Sequence, residues 1–275
     1  MPGKLLIVGT PIGNLSDLSP RAIEALKSAS VILCEDTRHT RKLLTNFGIS
    51  TPTQSLHEHN EESQAQNVIE KIAGGAVIAM VSDAGMPVIS DPGFRVVRLA
   101  RERGLPIEPI PGPFAGIIAL VASGIAPMPF TFFGFSPHRA GERKDFYRRV
   151  AAAAQTAIVY ESPERIAESL ADALEILGDV DMTLAREMTK IHEEFLSGSI
   201  SVVLAEVKQR GAVRGEITLV FAAALERKQE ASPAEIAREF ERLRDSGMRR
   251  NDAVKAVAER FGLRKNDVYK SLLGK

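Results

Sequence analysis

The chain has 275 residues, 44% of them hydrophobic and 25% charged, which is typical of a globular protein and excludes wholesale disorder. The length favours two domains with room for an appendage. No apolar run approaches the ~18–20 residues of a membrane helix, and the N-terminus lacks the cleavage site of a signal peptide. The single cysteine, Cys34, excludes an internal disulfide and a cysteine-based zinc cage, so we expect a cytoplasmic protein.

The formal net charge is zero, with 35 basic and 35 acidic residues, but the charges are unevenly distributed. Residues 232–275 carry 11 Lys or Arg and 7 Asp or Glu, so the preceding residues are net acidic. A basic tail on an acidic body indicates a polyanionic partner for the tail. An ordinary solvated helical surface would explain the same charge.

Short apolar runs alternate with helical patterns in the first half of the chain. Strands are predicted at residues 5–8, 31–33, 76–81 and 107–110. Helices are predicted to begin at Ser19-Pro20, to run from about residue 38 to Gly48 and over residues 60–73, and to run from an Asp91-Pro92 cap to Gly104. This alternation implies right-handed crossovers and an α/β sheet.

A proline- and glycine-rich stretch near residues 112–128 indicates a domain boundary. A second alternation follows, with strands predicted at residues 130–135, 157–160, 182–186 and 217–221. Helices are predicted up to Tyr147, over residues 162–177 and from Ser199. The expected architecture is two α/β domains, residues 1–115 and 116–228, with a ligand cleft between them.

From residue 232 onward the sequence predicts short helices. A capping box, Ser232-Pro233-Ala234-Glu235, starts a helix that ends at Gly247, and two further helices are expected at residues 253–261 and 266–273. The segment AVAERFGLRKNDVYKSLL has the spacing of a helix-turn-helix. A purely structural three-helix cap remains an alternative.

Four glycine-, proline- and acid-containing loops follow predicted strands of the first half, at residues 9–14, 35–38, 81–93 and 110–115. Ligands of open α/β sheets bind at the carboxyl ends of strands. The first loop lacks the dinucleotide fingerprint and the P-loop lysine, which argues against NAD and ATP. In the third, Asp91 is explained as a helix cap, whereas Asp83 beside Gly85 is not.

The second half also places polar clusters at strand ends, in YESPER, in REMTK with the following HEE, and in Gly215-Glu216. Each alone is explained as paired surface charge, but together they indicate an interdomain cleft. No metal site is predicted, because His57 and His59 lie two residues apart without an H-E-x-x-H motif or clustered carboxylates. No G-x-S-x-G nucleophile motif occurs.

Six ordered segments carry a resemblance to a known family: VGTPIGNLSDLSPRA, CEDTR, VSDAGMPVISDPG, PIPGPFA, VYESPERI and AREMTKIHEE. They resemble the bacterial small-subunit ribosomal RNA 2′-O-ribose cytidine methyltransferases, which have the tetrapyrrole-methylase fold. The resemblance covers about residues 4–222, and the tail is similar to the helix-turn-helix that many members append. Two positions depart from the family: Phe114 stands where small residues are common, and Glu164 replaces a frequent histidine.

The resemblance implies S-adenosyl-L-methionine bound between the two domains, a homodimer, and methylation of a cytidine ribose in the decoding centre of 16S ribosomal RNA within the small ribosomal subunit. It places cofactor contacts at Thr10, Pro11, Ser82, Asp83, Ala84, Gly85, Met86, Pro87, Ile89, Phe114, Ala115, Tyr160, Arg186, Glu216 and Ile217. In the tail, phosphate contacts to RNA are expected from Arg249, Arg250, Arg264, Lys265 and Lys270.

This chemistry sets simple requirements. A cationic sulfonium donor needs no metal, only an in-line approach by the ribose oxygen. The weakly acidic 2′-hydroxyl needs help from a base or a nearby cation. Two cation–acid pairs are candidates, Lys190 with Glu187 and Arg38 with Asp36, and the sequence does not decide between them.

Two other functions are open at this stage. The same fold methylates carbon atoms of tetrapyrroles in cobalamin and sirohaem synthesis, but a basic helical tail has no obvious use there. A non-enzymatic nucleic-acid-binding regulator would use the helix-turn-helix, but it would not need six strand-end loops ahead of it.

Overall fold

The computed structural model describes residues 3–224, 233–261 and 265–273. The chain divides into two compact units, Met1–Ala223 and Ala224–Lys275. The first unit contains two five-stranded sheets and the helices packed on them. None of the described helices is both long enough and apolar enough to span a membrane.

The first sheet is entirely parallel, with the strand order β3-β2-β4-β1-β5. Its strands are β1 Lys4–Val8, β2 Val31–Cys34, β3 Thr53–Ser55, β4 Val77–Met80 and β5 Ile107–Ile110. The helices that connect them are α1 Pro20–Ser28, α2 Thr37–Asn46, α3 Glu61–Ala73 and α4 Phe94–Glu102. Apolar clusters cover both faces, which explains why the strands are almost continuously apolar.

The N-terminus of α4 corrects the prediction that Asp91-Pro92 caps this helix. The N-cap residue is Gly93. The buried carboxylate of Glu61, from α3, accepts hydrogen bonds from the backbone N–H groups of Gly93 at 3.1 Å and Arg95 at 2.7 Å. A carboxylate at this position also complements the helix dipole. Because Glu61 accepts the hydrogen bonds at this helix end, Asp91 is not needed as the cap of α4.

The second sheet is mixed, with the strand order β6-β7-β10-β8-β9. Its strands are β6 Phe130–Phe135, β7 Thr156–Glu161, β8 Asp181–Arg186, β9 Glu194–Ser199 and β10 Ile217–Phe221. The helices of this half are α5 Ala115–Ala122, α6 Ala140–Ala153, α7 Ile166–Leu177 and α8 Ile200–Arg210. Strands β6 and β7 are parallel, and the other neighbours are antiparallel.

Several boundaries differ from the sequence predictions. Strands β3 and β9 were not predicted, because both are short or polar and lie at sheet edges. Helix α7 begins at Ile166 instead of Ser162, because the Ser162 N–H donates to the Glu161 carboxylate at 2.7 Å and residues 163–165 form a turn. Helix α5 packs on β7 and β10. This packing supports a proposed domain boundary at residues 115 and 116; its other predicted limit, residue 228, lies outside the described residues.

The second unit contains α9 Pro233–Asp245, α10 Arg250–Phe261 and α11 Lys265–Leu273. It has an apolar core of its own, built from Ile236, Phe240, Ala253, Val254, Val257, Ala258 and Val268. The predicted cap Ser232 and the predicted RNA contact Arg264 lie outside the described residues. Helix α10 begins three residues before the predicted start at residue 253.

Candidate active site

A cavity of about 360 Å³ opens where the loops after β4 and β5 meet the end of β7 and the start of β10. Its lining residues are Ile12, Asp83, Ala84, Gly85, Met86, Ile89, Ser90, Asp91, Phe114, Ala115, Phe135, Tyr160, Glu161, Ser162, Pro163, Gly215, Glu216, Ile217 and Thr218. The volume is within the usual range for small-molecule sites. Both halves of the first unit contribute, as expected for a cleft.

The structure brings many of the predicted cofactor residues together around this cavity. Those that line it are Asp83, Ala84, Gly85, Met86, Ile89, Phe114, Ala115, Tyr160, Glu216 and Ile217. Sequence reasoning did not select Ile12, Ser90, Asp91 and Phe135, nor the segment Glu161–Pro163. Asp91 and Glu161 stood inside noted motifs and could have been chosen, whereas Phe135 carried no signal.

Thr10 and Ser82 do not line the cavity, but they hold the loop after β4 in place. Thr10 is buried and forms a pair of backbone hydrogen bonds with Gly85, at 2.9 and 3.1 Å. Its hydroxyl donates to the carbonyl of Ser82 at 3.2 Å, and the Ser82 hydroxyl donates to the Gly85 carbonyl at 3.1 Å. Pro11 and Pro87 are buried and also lie outside the lining. These predicted contacts therefore shape the loop.

Gly85 is required at its position in this loop. Its φ is +83°, in the left-handed region, and an added Cβ would lie 3.2 Å from the carbonyl oxygen of Pro113. A side chain would strain the backbone and press on the loop that leads into α5. The loops after β4 and β5 can therefore approach each other and close this side of the cavity.

Asp83 and Asp91 are two of the four carboxylate residues that line the cavity. Burial and the negative charges of Glu35 and Asp83 raise the pKa of Asp91 to about 6, against a hydrogen bond from Ser82 that lowers it. Such a site stabilises a bound cation, because the cation offsets the repulsion between the carboxylates.

Aromatic rings form another wall of the cavity. Phe114 packs edge-to-face on Phe132 with a centroid distance of 5.0 Å, and Tyr160 contacts Phe132 at 4.9 Å and Phe135 at 5.2 Å. The Tyr160 hydroxyl accepts a hydrogen bond from the N–H of Gly116 at 3.3 Å. Burial raises the pKa of Tyr160 to about 12, so this hydroxyl stays protonated near neutral pH. Phe114, where the family resemblance implies a small residue, is thus part of an aromatic cluster.

Lys190 lies in a charged cluster at the edge of the cavity. Its ammonium is 2.8 Å from Glu187 Oε1 and 3.3 Å from the carboxylate of Glu216, which lines the cavity. Partial burial lowers the pKa of Lys190, but the hydrogen bonds and charges of the two glutamates outweigh burial and raise it above the usual value. The hydrogen bond from Lys190 lowers the pKa of Glu187. Near neutral pH this site therefore holds an ammonium group against the ionised carboxylate of Glu187.

The second candidate pair has a structural role that explains it. Asp36 is the N-cap of α2, and its carboxylate accepts from the Arg38 backbone at 2.8 Å and from the Arg38 guanidinium at 3.0 Å. Hydrogen bonds from Arg38 lower the pKa of Asp36 to about 2. Neither side chain lines the cavity, but the Asp36 N–H donates to Asp83 at 3.3 Å. The pair is therefore linked to the cavity through Asp83, which accepts the hydrogen bond from the Asp36 N–H.

Arg186 lies beside the cavity without lining it. Its guanidinium donates to Glu194 at 3.0 Å and to the Arg214 carbonyl at 3.1 Å. These contacts tie β8 to β9 and to the segment before β10. Across residues 3–224, 233–261 and 265–273, no group of three or more His, Cys, Asp or Glu side chains is arranged to hold a metal ion.

Comparison with known proteins defines the class. Residues 4–203 match the family described as Tetrapyrrole (Corrin/Porphyrin) Methylases. The solved structure of diphthine synthase superposes with a TM-score of 0.62 at 15% identity, covering 80% of this chain and 90% of that one. At this identity the likeness shows the fold alone. The chain belongs to the tetrapyrrole methylase family and is a methyltransferase that uses S-adenosylmethionine.

The curated relatives narrow the family. A protein of Xylella fastidiosa, named ribosomal RNA small subunit methyltransferase I, is 42% identical, with 98% of each chain covered. A protein of Bacillus subtilis with the same name is 45% identical over 79% of this chain and 74% of its own. The chain belongs to the family of these small subunit methyltransferases. Membership of a methyltransferase family excludes the non-enzymatic regulator.

The cavity fits the cofactor of this family. Asp83 and Asp91 complement a sulfonium cation, while Ile12, Phe114 and Ile217 offer apolar contact. The close approach at Gly85 shapes the wall beside them. We therefore propose this cavity as the donor site.

Proposed function

We propose that the protein transfers a methyl group from S-adenosylmethionine to the 2′-hydroxyl of a cytidine in the decoding centre of 16S ribosomal RNA. The substrate is the small ribosomal subunit in the cytoplasm. The observation that carries the proposal is the ammonium of Lys190, which Glu187 and Glu216 hold at the edge of the donor cavity. The names of the relatives supply ribosomal RNA as the substrate class.

Lys190 acts on the accepting hydroxyl as a cation. S-adenosylmethionine supplies an electrophilic methyl group. The raised pKa of Lys190 makes it a poor base near neutral pH, so the hydroxyl proton passes to water, while the charge of Lys190 stabilises the alkoxide that develops on the ribose oxygen. Losing one such interaction costs on the order of 100-fold in rate. Glu187 and Glu216 keep the flexible side chain in one position, which lowers the entropy cost of reaching the reactive geometry.

Arg38 and Asp36 have a different proposed role. A carboxylate with a pKa of about 2 is a weak base, so Asp36 is poorly suited to accept the hydroxyl proton. The Arg38 side chain is 87% exposed, and its guanidinium lies beside Asp36, the residue that contacts Asp83. We assign this pair to contact with the RNA backbone near the site.

The tail is proposed to bind RNA through phosphates. Among the described tail residues, the side chains of Arg249, Arg250, Lys265 and Lys270 are exposed and form no ion pair with another described residue. Such side chains neutralise phosphates and release counterions. Arg264 belongs to the same proposal, although the structure does not describe it.

The protein is also proposed to act as a homodimer. The support is the family resemblance together with apolar side chains that stand exposed on the first unit, such as Val121 and Met128. Light scattering after gel filtration tests this state: a dimer has twice the 29.8 kDa of one chain. A mass of one chain at micromolar concentration would contradict it.

The deciding experiment is methylation of purified small subunits with labelled S-adenosylmethionine, followed by mapping of the modified nucleotide. Alkaline cleavage of RNA needs a free 2′-hydroxyl, so ribose methylation leaves an alkali-resistant dinucleotide and base methylation does not. We expect label in a resistant dinucleotide whose 5′ nucleoside is cytidine. Label in mononucleotides, or labelling of a tetrapyrrole in place of RNA, would refute the proposal. Lys190→Met serves as the inactive control.

A further inference from the structure

Phe135 stands out among the residues of the donor cavity because its ring is largely exposed. Phe135 is 59% exposed, although it lines the cavity. Exposing a phenyl ring to water is unfavourable, and the other residues of β6 are half-buried instead of exposed. Neither the fold nor the donor site described above accounts for this exposure.

The backbone places Phe135 there through an irregularity in β6. The pairing of β6 with β7 shifts register between Phe132 and Phe135, and Gly134 between them has φ of +73°. A bulge of this kind re-aims a side chain and is common next to active sites. Phe135 lines the cavity and is also exposed, so its ring stands at the mouth of the cavity.

The ring is also held in one orientation. It packs edge-to-face on Tyr160 with a centroid distance of 5.2 Å and an interplanar angle of 64°. Tyr160 is itself fixed by the hydrogen bond from Gly116. This contact covers at most one face of the Phe135 ring, and the ring is largely exposed, which leaves room for a base to stack on it.

The spacing between Phe135 and Glu216, which holds the Lys190 ammonium, matches the size of one nucleotide. Lys190 reaches Glu216, the residue before β10, and β10 lies two strands from β6 in the sheet. Strands are about 4.8 Å apart, so the backbone of Phe135 and that of Glu216, which holds the Lys190 ammonium, are separated by roughly 10 Å at the same end of the sheet. A nucleotide can place its base on one and its ribose hydroxyl at the other.

We propose that Phe135 is a stacking platform for the base of the target nucleotide and thereby positions its ribose for methylation. This assignment rests on the proposed function of RNA methylation. Proteins that read single-stranded RNA stack unpaired bases on aromatic side chains, and the ring face is indifferent to which base it meets. Phe135 is therefore a positioning residue that selects an unstacked nucleotide.

The test compares Phe135→Leu and Phe135→Trp in steady-state methylation of small subunits. Leucine keeps apolar bulk without a π-face, and tryptophan keeps the face. Phe94→Leu is the matched control, because Phe94 is 61% exposed and lies outside the cavity lining. Melting temperatures of all variants establish that each is folded.

We expect Phe135→Leu to lower kcat/KM for the subunit by about tenfold or more, from the usual worth of one base–aromatic stack. Phe135→Trp and Phe94→Leu should stay near wild type in kcat/KM, and the calorimetric affinity of Phe135→Leu for S-adenosylmethionine should fall far less than its kcat/KM. An equal loss of donor affinity in Phe135→Leu would overturn the proposal and place the donor's adenine on the ring. Wild-type kcat/KM in Phe135→Leu would also overturn it. Failure of the proposed function is separate: the wild-type enzyme would then not label cytidine ribose at all.

Discussion

A Cβ atom added to Gly13 would lie 2.5 Å from Cγ of Lys190, so the loop after β1 packs directly on the side chain of the proposed catalytic cation. The neighbouring Asn14 N–H donates to the Thr189 hydroxyl at 3.0 Å. Glu187 and Thr189, which both precede Lys190, have φ of +51° and +66°, which costs conformational energy in residues other than glycine. Lys190 is thus fixed by contacts from both halves of the first unit.

Gly13→Ala should lower turnover while leaving donor binding intact. The added methyl group displaces Lys190, and a misplacement of about 1 Å can cost up to 100-fold in rate. The control is Gly141→Ala, where an added Cβ meets no atom within 4 Å. The measurement is kcat for small subunits beside the calorimetric Kd of the donor. Equal kcat for both variants would show that the contact does not position Lys190.

Lys190→Met should lower the single-turnover rate of subunit methylation on the order of 100-fold, because the alkoxide loses its cation. Rates at saturating donor and substrate isolate this step from binding. Arg38→Met is the comparison and should retain the rate while weakening subunit binding. A Lys190→Met rate within about threefold of wild type, far short of a catalytic loss, would transfer the role to Arg38 and Asp36.

Gly85→Val should abolish donor binding without unfolding the protein. The new side chain is incompatible with φ of +83° and would press on Pro113 across the cavity wall. Gly104→Val is the control, since Gly104 also has a positive φ, +65°, but meets no atom within 4 Å. Calorimetry and melting temperature separate the two effects. Unchanged donor affinity in Gly85→Val would remove this loop from the donor site.

Donor affinity should weaken as the pH falls through about 6, because Asp91 then takes up a proton and no longer attracts a cation. Asp91→Asn should remove this pH step. The raised pKa also means that the ionised carboxylate destabilises the folded state above about pH 6, so Asp91→Asn should raise the melting temperature more at about pH 8 than at pH 5. The same pH profile in both proteins would show that another group titrates.

Deleting residues 232–275 should weaken binding to small subunits and flatten its dependence on salt, with donor affinity unaltered. Each lost phosphate contact reduces the slope of log affinity against log salt by about 0.7–0.9. Filter binding at several salt concentrations measures the slope. A slope equal to that of the full chain would favour the alternative of a purely structural helical cap.

The elements were predictable where the pattern is local. The apolar runs of β1, β4 and β10 are buried on both faces, and the Ser19 cap of α1 and the glycine ends of α3 and α7 follow from local chemistry within one turn. The sequence singles out the loop Ser82–Pro87 because Asp83 beside Gly85 has no local explanation, and residues 83–86 of this loop line the cavity. Such features depend on residues close in sequence, and composition alone excluded a disulfide framework.

Tertiary structure decided the rest, because it depends on contacts between residues far apart in the chain. Glu61 caps α4 from a different helix, and so leaves Asp91 to the cavity. The register shift in β6 that turns Phe135 toward the cavity exists only relative to β7. The antiparallel pairing of β10 sets Glu216 beside Glu187, and the missing Cβ of Gly13 makes room for Lys190. Periodicity and turn chemistry do not predict such pairings. Backbone hydrogen bonds and close packing can join two segments regardless of the sequence that separates them.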